Sequence, residues 1–319
     1  MNKIIIIVND LRLKTQILCI VILMLCLFCW LGNYPITEEN FTYHKVKFES
    51  NNLLLSGKLY IPENPGKVDA VVLSHGFNLL GKEHFLYREM SIRLAEKGYV
   101  VLAFDYRGFN QSPKPSGVKT ETDFDFAYDL SNAITFLENQ NLLINSIILV
   151  GHSFGAGVAM NVGLKDKRVN KIVCISPGRR ANELYFGENA SLGLKWIQEK
   201  MMQEMELKNA PPLDLIRKIF YPITIDYFET CSFDKPILFI DGEQEPAEDH
   251  AFLKNYFQKL KAKHKEYITI PNAQHYFGVS ASVNIYDSSI LQQLVDVIDS
   301  YIKRVPGTHN SQVAPADDF

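Results

Sequence analysis

Two rhythms of apolar positions run along the chain. Short apolar, often β-branched runs at Val68 to Ser74, Tyr99 to Phe104, Ser146 to Val150, Asn170 to Ile175, Pro236 to Ile240 and Tyr267 to Ile270 have the character of buried strands. Between some of them apolar residues recur at helical spacing. Glu83 to Lys97 carries Phe85, Met90, Leu94 and Ala95 and stops at Gly98; Asp123 to Asn139 carries Phe126, Leu130, Ile134 and Leu137 on one face. A last helix is predicted from Ile285 to Ile302. Phe41 to Glu49 and Leu53 to Ile61 read as an antiparallel hairpin turning at Ser50-Asn51-Asn52. Strands alternating with helices predict an α/β fold: a mostly parallel central sheet with helices on both faces.

Three stretches depart from this rhythm. Pro177 to Asp234 has no clear strand, a helical pattern over Leu192 to Leu207, and a Pro211-Pro212 break, which predicts a helical lid insertion at about 177–235. Its Leu192, Leu194, Trp196, Met201, Met202 and Met205 suit an acyl-binding surface or the segment's own helical core equally well. Ile17 to Leu31 is apolar without interruption, and Lys3, Arg12 and Lys14 precede it. As a helix it spans about 22 Å, somewhat less than a ~30 Å hydrocarbon core. Small residues for signal cleavage are lacking near Gly32, so an uncleaved anchor is expected over 1–34, with secretion after cleavage as its rival. The basic flank then stays cytoplasmic and the globular part lies on the far side of the membrane. The main domain is expected over 35–304 and a polar, disordered tail over 305–319.

The 319 residues suffice for one large α/β domain, and a net charge of −3 leaves no electrostatic footprint for nucleic acid. Cys19, Cys26 and Cys29 fall in the apolar N-terminal run; Cys174 reads as a small core residue, and nothing supports a bridge to Cys231. No metal-ligand spacing occurs, so no metal is expected, and attack by an activated serine needs no cofactor.

The chemistry centres on Gly151-His152-Ser153-Phe154-Gly155, set between an apolar strand and a small-residue helix. Glycines on both sides permit a sharp turn, which would project the serine hydroxyl from the strand end. Serine needs a base within hydrogen-bond reach, and the base an orienting acid. His275, in a loop after a strand and before the last helix, is the candidate base; His250, His264 and His309 are its rivals. The candidate acid is Glu245, just past Ile240-Asp241-Gly242, with Asp249 and Glu243 as alternatives. Backbone N–H groups of Phe77 and Phe154 are the candidate oxyanion donors. His75 reads as structural, and Asp105, Arg107 and Gly108 as architects of a nearby loop.

Val71 to Phe77, Phe104 to Gly108, Gly151 to Gly155, Ile240 to Pro246 and Gln274 to Phe277, taken in this order, resemble the α/β-hydrolase superfamily from about Phe41 to Arg304. His75-Gly76-Phe77 and the lid-sized insertion look like its esterase, acylglycerol-lipase and serine-aminopeptidase-like branch. The resemblance implies Ser153 as nucleophile, His275 as base and the Glu245 position as acid, where many relatives carry aspartate. It also implies a serine hydrolase acting on acyl esters or lipid-like molecules. Peptidase, thioesterase, acyltransferase, cofactor-free haloperoxidase or a non-catalytic binding role on the same scaffold are the alternatives.

Overall fold

The computed structural model describes residues 40–115, 117–178, 190–280 and 287–307. β1 (Phe41–Ser50) and β2 (Leu53–Pro62) pair antiparallel, and Asn51 and Asn52 turn between them at φ 51° and 62°. Asparagine tolerates that left-handed backbone better than most residues. β3 (Val68–Ser74), β4 (Val100–Phe104), β5 (Ile144–His152) and β6 (Val169–Ile175) follow. Next come β7 (Ser232–Phe233), β8 (Ile237–Gly242), β9 (Lys261–Ala262) and β10 (Lys265–Ile270). The described residues build one eight-stranded sheet in the order β1-β2-β4-β3-β5-β6-β8-β10, and β7 pairs only with β9. From β4 to β10 every pairing in the large sheet is parallel.

Among the described residues the helices are α1 (Phe85–Glu96), α2 (Phe126–Glu138), α3 (Phe154–Lys165), α4 (Ala190–Glu204), α5 (Leu213–Phe220), α6 (Ile225–Glu229), α7 (Ala247–Lys259) and α8 (Ser288–Arg304). Side chains cap three of them: His84 accepts from Leu86 N–H, Asp125 from Tyr128 N–H, and Asp287 from Ser289 and Ile290 N–H. The central strands are buried on both faces, and their alternation sorts the core into two halves. Val71, Leu73, Val101, Ile148, Val150 and Val173 pack with α1 and α8. Val72, Leu102, Leu149 and Ile172 pack with α2, α3, α7 and the 190–228 segment.

Several expectations shift. The segment between β8 and β10 contains α7; its carboxylate-rich start hides Leu253 and Tyr256, which are buried. The lid-sized interval ends in the short strand β7, read from sequence as having none. In that interval Leu194, Met201 and Met205 are buried in the core, so for them the core reading replaces the acyl-surface one; Trp196 remains 51% exposed. The side chain of Leu192 lies outside the described residues. Val305, assigned to the disordered tail, is buried and donates its N–H to the Tyr301 carbonyl. Cys174 and Cys231 are both free. The expected anchor over 1–34, the start of the last helix at Ile285, His309 and the tail from 308 onward lie outside the described residues. Among the described residues no helix is long and apolar enough to cross a membrane.

Candidate active site

Strand register brings the candidate residues to one rim. Ser74 is level with Gly151, Gly151 with Cys174, Ile175 with Ile240, and Gly242 with Ile270. The loops after β3, β5, β6, β8 and β10 therefore leave from the same carboxyl edge.

Ser153 joins β5 to α3 at φ 52° and ψ −117°. A non-glycine residue held there costs on the order of 1–3 kcal/mol, which the surrounding packing must over-determine. The glycines on either side permit it. A Cβ on Gly151 would stand 2.3 Å from the Gly155 carbonyl oxygen, and one on Gly155 2.1 Å from that of Ser74. Ser153 itself is half-buried and donates its N–H to the Ile175 carbonyl at 2.8 Å.

His275 Nδ1 lies 2.9 Å from Glu245 Oε1, with the carboxylate largely buried and the imidazole more open. Gln244 N–H donates to the Ala273 carbonyl and Glu245 N–H to that of Gly242, so the acid loop and the base loop are stitched together. Burial opposes the Glu245 charge, but the His275 hydrogen bond and charge, with smaller help from Ser176 and His250, hold its carboxyl below the usual range. Glu243 instead accepts from Asn272 N–H, and Asp249 lies in the first turn of α7. The pairing with Glu245 orients the ring and leaves Nε2 for a partner. His275 also reaches the serine turn through its backbone: its carbonyl oxygen lies 2.8 Å from His152 Nε2. Among the described residues no hydrogen bond joins the Ser153 hydroxyl to the His275 ring. The structure therefore brings together the serine turn, the candidate base and the candidate acid, and leaves the last contact open.

Phe154 is the first residue of α3, where N–H groups have no intrahelical acceptor. Its ring packs edge-on against that of Phe77, with centroids 5.6 Å apart, so both candidate donors sit on one rim. His75 is buried: it accepts from Tyr106 N–H at Nε2 and faces the Gly76 carbonyl with Nδ1. Asp105 accepts from Lys82 at both its N–H and Nζ, and so pins the segment after Phe77. Gly108 takes φ 84°, and a Cβ there would crowd Phe124 and Met205.

A model of the family described as "Serine aminopeptidase, S33" matches residues 66–219. The putative non-heme chloroperoxidase of Synechocystis is 36% identical over 118 residues, covering 36% of this chain and 39% of that protein. Esterase EstD of Thermotoga maritima is 24% identical over 184 residues, covering 53% of this chain and 44% of its own. The chain thus spans less than half the length of either relative. A structure titled as ferulic acid bound to Est1E from Butyrivibrio proteoclasticus superposes with a TM-score of 0.59 at 17% identity, over 81% of this chain and 98% of that one. The chain has the α/β-hydrolase fold.

Within this fold the rival histidines are occupied elsewhere or lie outside the described residues. His250 Nδ1 meets Asp241 Oδ2 at 2.6 Å and its Nε2 meets the Glu243 carbonyl at 3.0 Å, so both ring nitrogens are taken. His264 pairs with Glu266 on the surface. Sequence reasoning missed the partners around the site: Tyr87, His152, Ser176 and the Asp241–Tyr267–His250 cluster. For His152 a signal was present, a histidine beside the serine. For Tyr87 the helical pattern marked only a core position.

Proposed function

We propose that the protein is a serine hydrolase that cleaves carboxylic esters through an acyl-enzyme. The observation that carries the reading is Ser153 in a strained strand-to-helix turn at the rim where a His275–Glu245 pair also stands. Ser153 Oγ attacks the acyl carbonyl while His275 Nε2 takes its proton. Glu245 keeps the imidazole oriented and stabilises its charged form. The Phe77 and Phe154 N–H groups receive the oxyanion. The tetrahedral intermediate collapses as His275 protonates the leaving alcohol, and water then repeats the sequence to release the acid. Hydrogen bonds of this kind are often long without substrate and close in the complex, which fits the open Ser153–His275 contact. The names of EstD and the Est1E structure support an ester. The aminopeptidase family description and the chloroperoxidase relative point to the alternatives on the same scaffold. The substrate expected is a small acyl ester or lipid-like molecule. We infer that the apolar run from Ile17 to Leu31 tethers the domain to a membrane on the non-cytoplasmic side, on the strength of its length and basic flank.

A fluorophosphonate probe tests the reading directly. Full-length protein is expected to be labelled at Ser153 and to hydrolyse p-nitrophenyl esters; folded protein that resists the probe would be a binding module instead. The acid is ranked separately. Glu245→Gln is expected to lower kcat by about 10²- to 10⁴-fold, the range for a lost orienting carboxylate. Glu243→Gln and Asp249→Asn should each stay within about 10-fold of the parent. A larger loss at either would move the acid there.

A further inference from the structure

Beside the proposed triad runs a hydrogen-bond chain that the acyl-transfer steps do not use. Gly76 N–H donates to the Tyr87 hydroxyl oxygen at 2.7 Å. That hydroxyl lies 2.8 Å from His152 Nδ1. His152 Nε2 lies 2.8 Å from the His275 carbonyl oxygen. Chemistry fixes the direction of every link. A carbonyl oxygen only accepts, so His152 Nε2 must carry the hydrogen. In the neutral ring Nδ1 is then bare and accepts from Tyr87, whose oxygen in turn accepts from Gly76.

Each member is placed so that it can do nothing else. Tyr87 and His152 are 2% exposed. Burial, with the nearby His275 and His84 charges adding, holds His152 well below its usual titration range; the His275 carbonyl opposes this only in part. Burial likewise pushes the Tyr87 phenol up, so it remains a donor. Tyr276 packs against the His152 ring at 5.7 Å and stacks on His84 at 5.0 Å, closing that side. A Cβ at position 76 would meet the Tyr87 oxygen at 2.8 Å and His152 Nδ1 at 3.2 Å, so the chain also explains a glycine before Phe77. The Gly76 carbonyl is held as well, by His75 Nδ1 and Asn78 Nδ2.

We propose that Tyr87 and His152 are positioning residues, forming a one-way chain that sets the His275 loop and the His75–Gly76 peptide against the serine turn. One end fixes the peptide that precedes the Phe77 donor. The middle is the residue directly before Ser153. The other end is the backbone of the base itself. Three loops that meet only at the sheet rim thereby share one rigid link that crosses neither the nucleophile nor the base's ring. Because a misplacement of about 1 Å can cost about 100-fold in rate, such a link acts on kcat. The proposal rests on the serine-hydrolase reading for its effect on rate, but the chain itself does not.

Two measurements keep those apart. Nitrogen NMR of full-length protein labelled at histidine is expected to show His152 neutral, in the Nε2–H form, from pH 5 to 8. A Nδ1–H tautomer or an imidazolium there would overturn the chain whatever the protein catalyses. On p-nitrophenyl acetate, Tyr87→Phe and His152→Leu are expected to lower kcat by about 10- to 100-fold with KM within about 3-fold. His152→Gln keeps a donor and an acceptor and is expected to recover most of that loss. Wild-type kcat in Tyr87→Phe and His152→Leu, both folded by circular dichroism, would remove the positioning role. Equal damage from His152→Gln and His152→Leu would remove it too, because hydrogen bonding would then not be what matters. If the parent protein reacts with neither ester nor fluorophosphonate, the hydrolase reading and the rate role fall together, and the tautomer alone decides the chain.

Discussion

Ser153→Ala is expected to lower kcat on a p-nitrophenyl ester by about 10⁴-fold or more, with KM almost unchanged. Such a drop corresponds to about 5.5 kcal/mol of lost transition-state stabilisation. The methyl group removes the proposed nucleophile but leaves the turn and the Phe77 and Phe154 amides in place. His275→Ala should fall to a similar level, and the double variant Ser153→Ala/His275→Ala no further. Groups that act as one unit are not additive, since the second has nothing left to activate. His250→Gln is the control. Its ring nitrogens face Asp241 and the Glu243 carbonyl, so the change is expected to stay within about 10-fold. Steady-state kinetics on the four proteins settle the assignment. Independent losses in the double variant, or a larger loss at His250 than at His275, would place the base elsewhere.

The legible part of this site was legible for physical reasons. A serine turn between a buried strand and a helix needs small neighbours, and Gly151 and Gly155 announce it; the 2.3 and 2.1 Å clashes show why no other residue serves. The central strands were readable because both faces are buried, so Val71, Val72 and Leu73 form a run and not an alternation. Glu245 was chosen over Glu243 and Asp249 from its place just beyond a strand end, and that place puts it on the His275 ring. What the sequence hid is of two kinds. α7 begins in Glu248, Asp249 and His250, whose polarity masks a helix that buries Leu253 and Tyr256. The Tyr87–His152 link was hidden because its members stand 65 positions apart, on a helix and at a strand end. Only strand order and register bring such residues together, and no local pattern carries that information. The same limit applies to Leu194, Met201 and Met205. Their spacing marked a buried face but not what would bury it.

Asp129→Ala is expected to destabilise the fold by about 3–5 kcal/mol, the cost of leaving one member of a buried ion pair without its partner. Arg107 is 1% and Asp129 0% exposed at the side chain, and Arg107 Nη2 meets Asp129 Oδ1 at 2.6 Å. The carboxylate also accepts from Arg107 Nε, Arg107 N–H and the Ser50 hydroxyl, while Arg107 Nη1 donates to the Thr122 carbonyl. The cluster thus ties the end of β1, the loop after β4 and α2. Burial pushes the Asp129 carboxyl up despite the guanidinium beside it. A carboxyl raised in the fold holds its proton more tightly there, so its own contribution to stability shrinks as pH rises through the carboxylate range. Taking both charges out of water offsets much of their attraction, so such a pair adds little net stability yet is costly to break. Urea denaturation should show Asp129→Ala losing a large part of a total that is typically 5–15 kcal/mol. The double replacement Arg107→Met/Asp129→Leu should recover most of it, because no charge is then stranded. A loss below about 1 kcal/mol in the single variant would mean that water reaches the guanidinium. Activity should follow stability in the single variant. The loop that Arg107 anchors also carries Asp105, whose grip on Lys82 fixes the segment leading away from the Phe77 donor.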